Sequence, residues 1–170
     1  MFDEQNVHRD SDGRFGEKLG GPPEVFLTTA DGRRTAVTPG VLDSDAQEAF
    51  MEGQCVAFAV AVAEATEGGN VVMAVHVEDN RVIHAWASVA GSYTVQDAYG
   101  HMDDDAAFDQ YVINEKDMFS NASYTDDEVR FETMSPTEAR ERMLSATGES
   151  SPRQDYELAA TFVTAAKEMA

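Results

Sequence analysis

The sequence predicts an α+β domain in which an antiparallel sheet packs on one central helix. Three observations predict it. The run Cys55-Val56-Ala57-Phe58-Ala59-Val60-Ala61-Val62-Ala63 is apolar on every side, and a helix of that composition has to be buried. Behind it come three strand-like segments, Val71 to Val77, Arg81 to Val89 and Ser92 to Asp97, parted only by Asp79-Asn80 and Ala90-Gly91. Connections that short join antiparallel neighbours, because a parallel pair needs a crossover of a dozen or more residues. A chain of 170 residues that is 42% apolar can bury a core of this kind in a single domain.

Taken in order, residues 1 to 22 read as a flexible arm, since Asp10-Ser11-Asp12-Gly13 and Gly20-Gly21-Pro22-Pro23 mark turns and no apolar period runs between them. The body is expected over residues 23 to 147. It opens with a hairpin, Glu24 to Thr29 and Arg33 to Thr38, around the turn signal Ala30-Asp31-Gly32. A short helix follows from Asp43 or Ser44 as N-cap, and Gly53 interrupts it. The buried helix is expected over residues 54 to 66, stopped by Gly68-Gly69. After the three-stranded meander, Asp103-Asp104-Asp105 caps a helix running to about Val112, and Val129 to Thr133 is a further strand. Ser135-Pro136-Thr137-Glu138 then opens a helix with proline at its first position. Residues 148 to 170 read as a linker, Gly148 to Pro152, and a last helix from Gln154 to about Met169.

Chemistry enters with the single cysteine. If the buried helix begins near Gln54, Cys55 lies in its first turn, where unpaired N–H groups and the positive end of the helix dipole favour the thiolate. The same N–H groups can hold an oxyanion. A lone cysteine among Ala and Val is otherwise a small buried hydrophobe, so the case needs partners. A two-residue turn at Ala90-Gly91 would pair Ser88 with Tyr93, Trp86 with Val95 and His84 with Asp97. Directly opposed residues share a face with Cβ atoms ~5 Å apart, close enough for a carboxylate to fix an imidazole tautomer.

Three blocks carry a family resemblance. Gly53-Gln54-Cys55-Val56-Ala57-Phe58-Ala59, then Val82-Ile83-His84-Ala85-Trp86-Ala87, then Val95-Gln96-Asp97-Ala98-Tyr99-Gly100 resemble the G-x-C-x-x-F-A, H-A-W and D blocks of transglutaminase-like proteins within the papain-like superfamily. The resemblance covers residues 50 to 100 and implies a papain-like fold, with Cys55 as nucleophile, His84 as general base and acid, and Asp97 orienting His84. It implies a peptide or protein amide as substrate and no cofactor. The stretch between Cys55 and His84 is shorter than in many such proteins. No glutamine stands where papain-type enzymes keep an oxyanion donor, since Gln54 adjoins the cysteine and Gln47 lies further upstream.

Charge narrows the remaining classes. Against 32 acidic residues stand 12 basic ones, for a formal net charge of −20. Such a surface repels phosphate backbones, so direct nucleic-acid binding is not expected. It fits a solvated acidic shell, adaptation to high salt, or a surface that occupies a basic protein partner. The acidic residues are spread along the chain, which predicts an evenly acidic surface with a less charged cleft at Cys55. No apolar run is long enough to span a membrane, and the opening Met-Phe-Asp-Glu-Gln-Asn lacks a signal-peptide pattern. One cysteine allows no internal disulfide and fits a reducing compartment, so the expectation is cytoplasmic. The segment Arg9-Asp-Ser-Asp-Gly13-Arg14-Phe15-Gly16-Glu-Lys18 resembles an N-terminal element of phage- and plasmid-encoded proteins, which would place the chain in a host cytoplasm or a virion. That leaves open a non-enzymatic acidic protein of a mobile element, an inhibitor, nucleic-acid mimic or virion component. No metal is expected. His76, His84 and Asp79 lack a zinc-type spacing, and His101 with Asp103-Asp104-Asp105 lacks the ligand loop calcium needs.

Overall fold

The computed structural model describes residues 25–109, 112–113, 124–125, 127–145 and 153–168. The expected arm over residues 1 to 22, its basic segment and the linker Gly148 to Pro152 lie outside the described residues.

A hairpin of β1 (Val25–Thr28) and β2 (Arg34–Val37) opens the described chain. Its turn uses Gly32 at φ +81°, a conformation that costs glycine little and other residues more. Next comes α1 (Ser44–Met51), started by Asp43, whose carboxylate accepts the Ala46 N–H at 3.0 Å. After Gly53 the chain turns into α2 (Cys55–Glu64), in which every residue from Val56 to Ala63 is buried.

The main sheet has five antiparallel strands in the order β6-β5-β4-β3-β9. They are β3 (Gly69–His76), β4 (Val82–Val89), β5 (Thr94–Asp97), β6 (Gly100–Asp103) and β9 (Val129–Met134). The predicted meander is its centre. Its edges were not anticipated: β6 folds back on β5 immediately after Asp97, and β9 returns to lie beside β3. Between them are α3 (Asp104–Asp109), shorter than expected, and a small parallel pair, β7 (Val112–Ile113) with β8 (Tyr124–Thr125). Two helices complete the fold, α4 (Pro136–Ser145) and α5 (Tyr156–Glu168). Ser135 and Glu138 form the reciprocal cap expected of their spacing, Glu138 Oε2 accepting the Ser135 N–H at 2.9 Å and Ser135 Oγ accepting the Glu138 N–H at 3.3 Å.

Two apolar clusters lie on opposite faces of the sheet. On one, Val71, Met73, Val75, Ala85 and Ala87 meet α2, with Phe50, Leu158 and Phe162 behind it. On the other, Val72, Ala74, Trp86, Val95, Ala107 and Val129 pack together. The alternation along β3 and β4 divides the two sets, as a period of two requires. Helix α2 is thus held between the sheet and α5, and only its two ends reach the surface, Cys55 partly at the start and Glu64 at the close. No helix among the described residues is long and apolar enough to cross a membrane.

Candidate active site

Helix α2, strand β4 and the end of β5 bring Cys55, His84 and Asp97 together. Cys55 is the first residue of α2 and is partly buried. His84 and Asp97 are both buried, with side chains 1% and 3% exposed. His84 Nε2 lies 3.3 Å from Asp97 Oδ2, and Cys55 lies close enough to the same imidazole to act on its charge. With Nε2 turned to the carboxylate, Nδ1 is the nitrogen left for sulfur.

The grouping survives a register different from the one predicted. The strands β4 and β5 pair Ala87 with Gln96 and Ser88 with Val95, so the expected Ser88–Tyr93, Trp86–Val95 and His84–Asp97 pairs are displaced by two. The connection is longer than the two residues Ala90-Gly91, because Ala90 is a poor first residue for a primed turn, although Gly91 does take φ +81°. A shift of two keeps every side chain on its face, whereas a shift of one would have inverted the site. His84 and Asp97 accordingly stand beyond the last recorded pair, Ala87–Gln96, and meet diagonally. A bulge contributes as well. Pairing with β3 passes from Ala74–His84 to Val75–Val82, leaving Ile83 extra, and bulges re-aim the side chains beside them.

Asp97 is fixed by its own turn. Residues Ala98 and Tyr99 link β5 to β6, and Asp97 Oδ1 accepts the Tyr99 N–H at 2.8 Å, leaving Oδ2 for His84. Gln47 Nε2 donates to the Ala98 carbonyl at 3.1 Å, tying α1 to the same turn. Trp86 meets the imidazole edge-on with ring centroids 4.6 Å apart. Burial by itself would drive the His84 pKa down from 6.5. The Asp97 carboxylate and Cys55 act the other way and prevail, holding it up at about 9.

The helix start is locked by two glutamines that exchange bonds. Gln54, 1% exposed, donates from Nε2 to the carbonyls of Thr28 at 2.8 Å and Arg153 at 3.0 Å, and its Oε1 accepts the Asp155 N–H at 3.0 Å. Gln154, the residue between those two, accepts the Ala57 N–H at 3.0 Å and donates to the Gly53 carbonyl at 2.7 Å. Both Nε2 hydrogens of Gln54 are therefore committed to structural bonds, and Gln47 gives one of its own to the Ala98 carbonyl. Phe58 N–H returns to Gln54 O and Ala57 N–H goes to Gln154, so the first-turn amides nearest the sulfur, those of Cys55 and Val56, are the ones left for a ligand. Gln154 had no signal in the sequence, a hundred residues from the cysteine.

Cys55 opens on a cleft of about 420 Å³. Met51, Val56, Val82, Ile83 and Met143 give it apolar walls, and Asp31, Glu52 and Arg81 give it charge. Three charged residues thus line the cleft that was expected to be less charged than the surface around it. Asp31 is held below the usual carboxylate pKa by the Thr29 hydroxyl and the Arg33 N–H. Among the other sites weighed, His76 Nδ1 pairs with Asp79 Oδ1 at 2.8 Å, apart from His84. Asp103, Asp104 and Asp105 cluster at the start of α3, where the Asp105 N–H is accepted by the first two carboxylates. Comparison of the chain with family models, curated proteins and solved structures finds no match, so the site is read from its own geometry.

Proposed function

We propose that the chain is a cysteine-dependent hydrolase or acyltransferase on a papain-like, transglutaminase-like fold, acting on an amide or thioester bond. The observation that carries this reading is the contact of one buried imidazole with a partly exposed cysteine at a helix start on one side and a buried carboxylate on the other. In the proposed cycle the Cys55 thiolate attacks the acyl carbon and a C–S bond forms. The oxyanion that develops faces the first-turn amides. The C–N or C–S bond to the leaving group then breaks as His84 gives up its proton to that group. His84, now neutral, takes a proton from the incoming water or amine as it attacks the thioester. The product leaves, and thiolate and imidazolium are restored. Asp97 keeps Nε2 protonated and so aims Nδ1 at the sulfur throughout. Water as acceptor makes the protein a protease or deamidase, and an amine makes it a transglutaminase.

A second reading draws on the net charge of −20: an acidic binding protein that occupies a basic partner and does no chemistry. Intact-mass measurement after exposure to small activated esters and thioesters separates the two. The enzyme reading expects one acyl adduct per chain, absent in Cys55→Ala, that decays with time. A Cys55 that takes up no acyl group while the fold is intact would leave the binding reading in possession.

A further inference from the structure

The charge arrangement around the Cys55 cleft points beyond the bond type to the kind of chain that bears it. Two carboxylates, Asp31 and Glu52, line the cleft together with one guanidinium, Arg81. Glu52 and Arg81 each stand beside a further acid. Glu52 shares Arg33 with Glu48, and Arg81 Nε faces Asp79 Oδ2 at 3.4 Å while its terminal nitrogen donates to the Tyr124 hydroxyl at 3.3 Å. Four carboxylates therefore stand at and behind the rim against two guanidiniums, in a molecule whose far field is already strongly negative. Clefts with low-dielectric walls focus such a field and raise the local concentration of the opposite charge. The apolar residues between the charged ends, Met51, Val56, Val82, Ile83 and Met143, provide those walls.

We propose that the cleft takes an acyl group carried on a positively charged peptide segment, with basic side chains of the substrate meeting Asp31 and Glu52 while the reacting carbonyl sits at Cys55. The inference rests on the thiol reading of Cys55 and names its substrate class. An anionic or phosphorylated segment would meet net repulsion at the same rim.

The test uses the whole chain and needs no identified substrate. Cys55 is modified with a cationic methanethiosulfonate bearing trimethylammonium and with its anionic sulfonate counterpart, and the ratio of second-order rates is compared with that for 2-mercaptoethanol. At low salt the normalised cation-to-anion ratio is expected to exceed one by about tenfold or more, and to fall as salt screens the field. Asp31→Asn with Glu52→Gln should reduce the ratio at the same salt by about threefold or more, and Arg81→Gln should raise it. Because Asp31 also holds the hairpin turn, Glu52→Gln alone, at an exposed position, gives the same direction without that risk. A normalised ratio near one, or one that neither the Glu52 nor the Arg81 change moves, overturns the cleft as a reader of positive charge. If neutral iodoacetamide still labels Cys55 in that case, the thiol reading stands and this inference alone fails. A folded protein that no reagent labels removes both.

Discussion

An imidazole that is 1% exposed is a costly place for a positive charge, yet His84 keeps its proton up to a pKa of about 9 because Asp97 and Cys55 flank it. The native state thus binds the proton more tightly than the unfolded chain, where histidine titrates near 6.5. The stability this confers is fully present below pH 6.5 and is lost as pH rises through 9. At ~1.4 kcal/mol per pH unit, the interval sets an upper limit of about 3 kcal/mol. Chemical denaturation at pH 6 and pH 9.5 should show wild type losing stability over that range, and His84→Gln should lack the loss. Cys55→Ala should lower the His84 midpoint followed by NMR, since the sulfur is one of the groups raising it. Asp97→Asn probes the other side. With an amide in place of the carboxylate, Nε2 no longer has an anion to hold its proton. Iodoacetamide labelling of Cys55 at neutral pH is expected to slow by about tenfold or more. A rate equal to wild type would show that Asp97 does not orient the imidazole.

Elements set those residues in place through contacts of very unequal legibility. Helix α2 could be read from sequence because an all-apolar run with glycines after it has one sensible fate, and Cys55 followed from where the helix begins. His84 and Asp97 were legible for a weaker reason. Their shared face depends only on the parity of the register, so the predicted pairing was off by two and the grouping still held. What lay beyond reach were partners distant in the chain: β9 beside β3, and the Gln54–Gln154 exchange that bolts the start of α5 to the start of α2. Local periodicity carries no information about such pairs. Gly69 makes a similar point. Sequence marks it as a helix stop, but a Cβ there would come within 2.2 Å of the Ala63 carbonyl oxygen, so glycine is what lets β3 leave so close to α2. The glutamine exchange predicts its own energetics. Gln54→Ala strands two carbonyls and an N–H whose bonds are partly buried, and urea titration should show it costing about 1–3 kcal/mol. Gln154→Ala, at a partly exposed position, should cost less. Equal or negligible losses from both would mean that water replaces these bonds freely and that the exchange does not anchor the nucleophile.

At the scale of the molecule, charge works against compactness while ion pairs work for it, and salt weakens both. The described arginines act largely as ties between elements: Arg33 before β2 to Glu48 and Glu52 at α1, Arg140 in α4 to Glu64 in α2, and Arg142 in α4 to Glu132 in β9. The exposed pairs among them, those of Arg33 and Arg140, are worth about 1 kcal/mol or less each, and some nothing measurable. With 32 acidic side chains and 12 basic ones, pairing every base would still leave a formal charge of −20 spread over the surface. Repulsion among so many like charges acts over the whole domain, whereas each tie acts over one contact. Screening should therefore remove more destabilisation than stabilisation. The expected outcome is a melting temperature that climbs with sodium chloride, most steeply below ~0.2 M, where the screening length shrinks to a fraction of the domain. A climb that continues well past that range would indicate that the acidic surface binds cations as part of an adaptation to high salt, because simple screening is by then nearly complete. A flat or falling curve would mean that the arginine ties outweigh the repulsion. The same titration bears on the cleft, since a field that salt removes from the fold is also removed from any positively charged chain approaching Cys55.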